Sequence, residues 1–254
     1  MLYDGHVHMG YFSRIGHKYP FYYSPRRVLG VLDRAGVDEF IVSSTTAQAK
    51  EIHLKEIIRE AQEMKRVAGR RAHIFFWMSG HLFDEDPSMS YLETGLFEGI
   101  KLHELVTPWV SVRTSDLRKI LSKAEKLSFP VQFHAGPMNG CRPTELSKFA
   151  EEYPNINFDF SHARPMKEMS RVVSSHENVF TDMAYMPFPE FFDKFEWKNR
   201  LMFGSDFPAY HMSDSRTFSV SYRERSHATS RIIALCNNAF QQFLRNRSVT
   251  MQEA

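Results

Sequence analysis

The chain has 254 residues, 43% of them hydrophobic and 24% charged, with a formal net charge of +2 and twelve histidines. This is a globular composition near the roughly 200–250 residues that α/β barrels use as one domain. It has neither the basic stripe of a nucleic-acid binder nor an apolar run near the ~20 residues of a membrane span. Cys141 and Cys236 are too few for a disulfide framework, form no CxxC pair and are expected as free thiols. The opening MLYDGHVH lacks a basic stretch followed by an apolar one, so a cytoplasmic protein is expected.

Taken in chain order, LYDGHVH reads as the first strand. Positions i and i+2 of a strand share a face, so His6 and His8 aim at one spot, with Asp4 on the same parity one layer deeper. Met9-Gly10 leads into a loop, YFSRIGHKYPFYYSP, that is aromatic and basic and contains Arg14. The loop reads either as a cover over the strand ends or as ordinary packing on a rim. SPRRVLGVLDRAG has helical spacing, VDEFIVSS is a second strand, and KEIHLKEIIREAQEMKRVAG is a long helix whose RVAGRRAH end reads as solvated. RAHIFFWMSG is the third strand. The segment after it, HLFDEDPSMSYLETGLFEG, leaves room for only an abbreviated helix.

FEGIKLH, the fourth strand, ends in Lys101 and His103, and Arg113 precedes the helix TSDLRKILSKAEKLS. FPVQFHAG carries His134 at the end of the fifth strand and is followed by the helix PTELSKFAEEYP. NINFDFSHA closes the sixth strand on His162, with KEMSRVVSSHE as its helix. Next come NVFTDMAY, the less clear helix PEFFDKFEWKN and RLMFGSDFP, with Asp206 at the end of the eighth strand, and SRIIALCNNAFQQFLR is the last helix. Ser24-Pro25, Thr114-Ser115-Asp116 and Pro143-Thr144-Glu145 have the chemistry of helix starts, and Gly36, Gly69 and Pro154 that of stops.

Eight strands alternating with helices predict a parallel sheet closed as a (β/α)8 TIM barrel, one domain over residues 1–254. In that fold the carboxyl ends of separated strands share one mouth, where His6, His8, Lys101, His103, His134, His162 and Asp206 would meet. Three imidazoles and a carboxylate suit zinc with a place left for water. Each residue alone has a plainer reading: HxH is a short signal, His134 fits a core histidine, and GSDFP fits a turn. Their joint placement at strand ends favours the metal. His53, His73, His176 and His227 fall away from the mouth, whereas His17, His81 and His211 lie in loops on its side.

With these residues in view, the sequence resembles the amidohydrolase superfamily, in its amidohydrolase-related (amidohydrolase 2) branch. That branch contains aminocarboxymuconate-semialdehyde decarboxylase and many metal-dependent hydrolases. DGHVH, GIKLH, FHAG, SHA and LMFGSDFP resemble the branch's first, fourth, fifth, sixth and eighth strands, and ALCNNAFQQFLR its closing helix. The resemblance implies one divalent ion, Zn2+ by first choice, held by His6, His8, His134 and Asp206. It implies that His162 stands beside the ion to polarise substrate or move protons, and Asp206 is the candidate base for the activated water. Lys101 sits where some amidohydrolases carry a carboxylated lysine bridging two metals, but a plain cation meeting a substrate carboxylate is the preferred reading.

The expected activity is hydrolysis of a C–O or C–N bond (lactone, amide or ester) in a small anionic molecule, with Lys101, His103, Arg14 and Arg113 as substrate-binding candidates. The alternative is a nonoxidative decarboxylase on the same site, disfavoured by the chain's shortness. A TatD-type phosphoesterase lacks its fourth-strand glutamate here, and a barrel that binds without turnover leaves Asp206 and His162 unexplained. A small-molecule substrate is the expected partner, with no nucleic acid and no membrane; a homo-oligomer is compatible with the sequence.

Overall fold

The computed structural model describes residues 1–12, 21–48, 54–79, 88–103, 114–184, 190–209 and 230–245. Among these, nine strands form one sheet: β1 (Tyr3–Phe12), β2 (Phe21–Tyr23), β3 (Glu39–Ser44), β4 (Ala72–Trp77), β5 (Gly99–Leu102), β6 (Val131–His134), β7 (Phe158–Ser161), β8 (Val179–Asp182) and β9 (Leu201–Met202). Their order is β2-β1-β3-β4-β5-β6-β7-β8-β9, and every pair is parallel except β1–β2. The helices between them are α1 (Pro25–Ala35), α2 (Leu54–Ala68), α3 (Ser88–Tyr91), α4 (Thr114–Leu127), α5 (Pro143–Glu152), α6 (Met166–Ser175) and α7 (Glu190–Lys194), and α8 (Ser230–Leu244) is the last described helix. The short α3, continued by one 3-10 turn over Leu92–Thr94, is the abbreviated helix after the third predicted strand. None of the described helices is long and apolar enough to cross a membrane.

Local chemistry sets the boundaries. Ser24 caps α1, its Oγ accepting from the Arg27 amide at 3.3 Å, Pro25 comes next, and Gly36 ends the helix at φ 70°. Three elements differ from the sequence reading. β1 does not stop before Gly10 but runs to Phe12 and pairs antiparallel with β2, because the aromatic ends stack, Phe12 on Phe21 at 4.7 Å between ring centroids. The register also slips by one between Asp4 and Val7, so Tyr3 rather than Asp4 takes the layer beneath His6. The Asp4 carboxylate instead accepts the amides of His6 at 3.1 Å and Ser205 at 3.0 Å. The last strand is two residues long, Leu201–Met202, and Asp206 further along has a left-handed backbone at φ 52°.

The strands alternate between two environments. Phe40, Val42, Ile74, Phe76, Ile100, Leu102, Phe133 and Phe160 pack outward against α1, α2, α4 and α5 in one large apolar cluster. On the other, concave face, Tyr3, Ile41, Phe75, Phe180 and Met202 meet Ala239, Phe240 and Phe243 of α8 in a second cluster. Helix α8 therefore plugs the amino end of the curled sheet. Gly99 is required there, because a Cβ would come within 2.5 Å of the Phe75 ring. Beyond β9, the chain hydrogen-bonds to β1: Gly5 N to Phe203 O at 2.8 Å, Asp206 N to His6 O at 2.8 Å and His8 N to Phe207 O at 2.7 Å.

Candidate active site

One step along the same strands the concave face becomes polar. His6 and His8 share the parity that the HxH spacing demands, and their Nε2 atoms lie 3.0 Å apart. Each ring is fixed from behind. His6 Nδ1 donates to Asp182 Oδ2 at 2.7 Å, and His8 Nδ1 meets Ser43 Oγ at 3.0 Å. Because Asp182 only accepts, a neutral His6 ring carries its lone pair on Nε2; Ser43 Oγ can accept from or donate to His8 Nδ1, and a metal would select the tautomer with the His8 lone pair on Nε2 as well. Asp206 Oδ1 joins them, 3.1 Å from His8 Nε2 and 3.5 Å from His6 Nε2. Among the described residues, the donor beside them is the Lys101 ammonium, 3.4 Å from His6 Nε2. Two imidazoles and a carboxylate converging in a buried spot are a donor set for a divalent ion. Asp182 behind His6 completes the carboxylate–histidine arrangement typical of metal ligands.

The backbone is bent to present these groups. His162, Ala163 and Asp206 all have positive φ, at 75°, 45° and 52°, which costs of order 1–3 kcal/mol per residue unless local bonds enforce it. Such bonds are present: the His162 amide donates to Asp182 Oδ1 at 3.1 Å, the Ala163 amide to Thr181 Oγ1 at 3.1 Å, and the Asp206 amide to the His6 carbonyl.

Burial decides the charges. It pushes the His8 imidazole down to about 4 against the opposing pull of Asp206, and it pushes His134 down to about 3. His103 and His162 are driven well below the usual histidine range by burial and by their cationic neighbours. Burial would raise the Asp206 and Asp182 carboxyls, but the histidines beside them and Lys101 outweigh it and hold both below the usual range. Asp159 goes the other way, raised well above the usual carboxylate range by burial and by Asp182. Its Oδ2 takes hydrogen bonds from Gln132 Nε2 at 2.6 Å and Ser161 Oγ at 3.1 Å. Burial lowers Lys101, opposed by Asp159, Asp182 and Asp206.

Of the residues expected at the site, the structure brings His6, His8 and Asp206 to one point. His134 is not in that trio; its Nδ1 lies 3.0 Å from His162 Nε2, and its ring stacks on His103 at 3.9 Å. His162 in turn stacks on His6 at 5.0 Å, so the His134–His162 pair borders the trio. Lys101 is buried at 1% exposure, its Nζ 3.3 Å from Ser161 Oγ. Arg14 and Arg113, with His17, His53, His81, His211 and His227, lie outside the described residues. His73 and His176 are far from the trio, paired with Glu98 and Glu151. The sequence reading missed Asp182, although the same rule, a polar residue at a strand's carboxyl end, would have found it in NVFTD. It also missed Ser43, Trp77 and Arg164, the last standing close enough for its charge to act on both His134 and His162.

The chain is also similar to known proteins. A family model described as Amidohydrolase matches residues 3–222. No curated protein matches the sequence. Among solved structures, a probable 2-pyrone-4,6-dicarboxylic acid hydrolase from Acinetobacter baumannii with citric acid bound superposes with a TM-score of 0.64 at 14% identity, covering 97% of this chain and 96% of that one. The 4-oxalomesaconate hydratase of Rhodopseudomonas palustris gives 0.64 at 14% identity, covering 96% of each chain. A dihydroxybenzoic acid decarboxylase from Polaromonas sp., with bound manganese and the inhibitor 2-nitroresorcinol, gives 0.57 at 12%, covering 87% of this chain and 86% of that one. At these identities the likeness is one of fold.

Proposed function

The chain belongs to the amidohydrolase family, and from that premise we propose that it is a metal-dependent hydrolase that cleaves a C–O or C–N bond, in a lactone, amide or ester, of a small anionic molecule. The observation that carries this reading is the convergence of His6 Nε2, His8 Nε2 and Asp206 Oδ1, with both rings locked from behind by Asp182 and Ser43. We read the curled sheet as a closed (β/α)8 barrel of one domain, supported by the three backbone bonds between β1 and residues 203–207.

The trio would hold one divalent ion, with zinc first by ligand type, and His134, which reaches the trio's border through His162, is our candidate to complete the set. Such an ion supplies Lewis acidity and an acidified water at neutral pH. Asp206 keeps Oδ1 toward the two rings, and we assign its other oxygen to take the proton from the attacking water. The proton taken up by Asp206 is the one returned to the leaving group, and His162, neutral and linked to His134, is assigned to polarise the substrate by hydrogen bonding.

Substrate charge follows from the site's own balance. Lys101 and Arg164 face Asp182 and Asp206 at the mouth, and a divalent ion held among them would add positive charge, which favours an anionic ligand.

The test is turnover by the zinc-loaded chain on a panel of carboxylated lactones, amides and aryl carboxylic acids. Ring opening or amide cleavage with uptake of water is expected. Release of CO2 from the aryl acids instead would assign the site to decarboxylation, and no turnover on any member would remove the enzymatic reading.

A further inference from the structure

Resting on this reading of the mouth as a hydrolytic site, we infer that Trp77, with His103 and Lys101, forms the wall that receives a carboxylate of the substrate. Trp77 lies two residues beyond Phe75 on β4, hence on the concave face, and it is directly opposite Lys101 in the β4–β5 register. The side chain is 1% exposed, yet its indole Nε1, a pure donor, has no hydrogen-bond partner among the described residues. His103 stacks on the indole at 5.8 Å with 7° between the planes, and its Nδ1 is likewise buried without a partner among them.

The large majority of buried side-chain polar atoms in a native fold are paired, so two orphaned nitrogens on rings stacked against each other at the mouth point to an external partner. The neighbours shown around the indole do not supply one. His8, 5.3 Å away, has both ring nitrogens committed, one to Ser43 and one to the trio. Lys101 Nζ, 6.0 Å from the ring centroid, has only protons to give. The missing group is therefore an acceptor. Lys101 Nζ, 6.0 Å from the indole centroid, is a second donor on the same wall, and a carboxylate presents two oxygens to such a pair of donors. These residues bind and orient; they carry no bond-making step. The site would thus take its substrate with a carboxylate toward β4–β5 and the scissile bond toward the trio.

The experiment uses the full zinc-loaded chain labelled with 15N at tryptophan, benzoate as the carboxylate probe and benzyl alcohol as the neutral one. The chain contains three tryptophans, so three indole N–H signals are available. Trp77→Phe, which keeps a stacking ring and removes only the donor, identifies the Trp77 signal; if that variant does not fold, Trp109→Phe and Trp197→Phe identify it by elimination. Expected is a saturable downfield movement of the Trp77 indole proton with benzoate and none with benzyl alcohol, and about tenfold weaker benzoate binding by Trp77→Phe. An unmoved Trp77 signal, an equal response to both probes, or no saturable benzoate binding overturns the subsite. Zinc content and turnover are read on the same samples. A chain that binds no zinc or turns nothing over while its Trp77 signal responds contradicts the hydrolase and leaves the carboxylate wall standing, whereas an active zinc protein with a silent Trp77 does the reverse.

Discussion

The concave face of the sheet holds two layers built by the same strands. In the lower one, Tyr3, Ile41, Phe75, Phe180 and Met202 close against Phe240 and Phe243 of α8. In the upper one, a step further along, stand His6, Ser43, Trp77, Lys101, Gln132, Asp159 and Asp182, with His8, His134, His162 and Asp206 at the rim. Both are buried, but by different physics. The lower layer is held by area removed from water and close packing and needs no partner outside the chain. The upper layer carries desolvated charges and lone pairs that the chain satisfies only in part, so it gives up stability for a site that a cation and an anion can complete. Stability should therefore belong to the lower layer and chemistry to the upper, and a substitution in one layer should leave the other intact.

The largest expected effect is on chemistry alone. Asp206→Asn keeps the shape and a ligating oxygen but removes the proton acceptor, and kcat should fall about 10²–10⁴-fold while zinc content and thermal midpoint change little. Steady-state kinetics beside elemental analysis checks this. The reverse case is Phe243→Ala, which empties the space between Phe75 and Phe180. It should cost about 3–5 kcal/mol in denaturant unfolding while the folded fraction keeps its zinc stoichiometry and kcat.

Acid should separate the layers next. His8 and His134 have folded values pushed down to about 4 and about 3, and His103 and His162 are also lowered. A depressed folded value contributes stability that is complete above the unfolded value near 6.5 and is lost as pH falls through the folded one. Each histidine kept neutral costs about 1.4 kcal/mol per pH unit across that window. The metal-free protein should thus lose at least ~2 kcal/mol between pH 7 and pH 5, read from unfolding at each pH. Replacing His134 with Gln should flatten the slope, whereas Phe243→Ala should shift the curve without changing it. The smallest expected effect is at Ser43, which only orients His8. Ser43→Ala should weaken zinc binding ~10–100-fold in competition with a chelator and leave the apo protein's unfolding midpoint nearly unchanged.

The sequence makes the lower layer and the trio legible for different reasons. The HxH spacing works because strand parity is rigid, and GSDFP could be joined to it once alternating strands and helices implied a shared mouth. What escaped were features that parity alone does not encode. The slip between Asp4 and Val7 moves Tyr3 inward and turns Asp4 to the amides of His6 and Ser205, and nothing in YDGHV announces a bulge. The pairing of Tyr11 and Phe12 with β2 depends on residues beyond a stretch that looks like a loop. His134 shares the polarity of the trio but lies beside His162, because a strand-end position fixes which face a ring takes and not which neighbour it reaches. Asp182 ends a short strand, NVFTD, that carries no histidine to mark it, although its place behind His6 sets that ring's tautomer.

The most direct test of the central claim is the metal content of the purified chain and of its His6→Ala/His8→Ala variant, by elemental analysis after dialysis against zinc. About one equivalent is expected in the native protein and none in the variant, with the variant still folded by circular dichroism because the lower layer and the outer apolar cluster are untouched. Two equivalents in the native protein, with a carboxylated Lys101, or a variant that keeps its zinc, would contradict it.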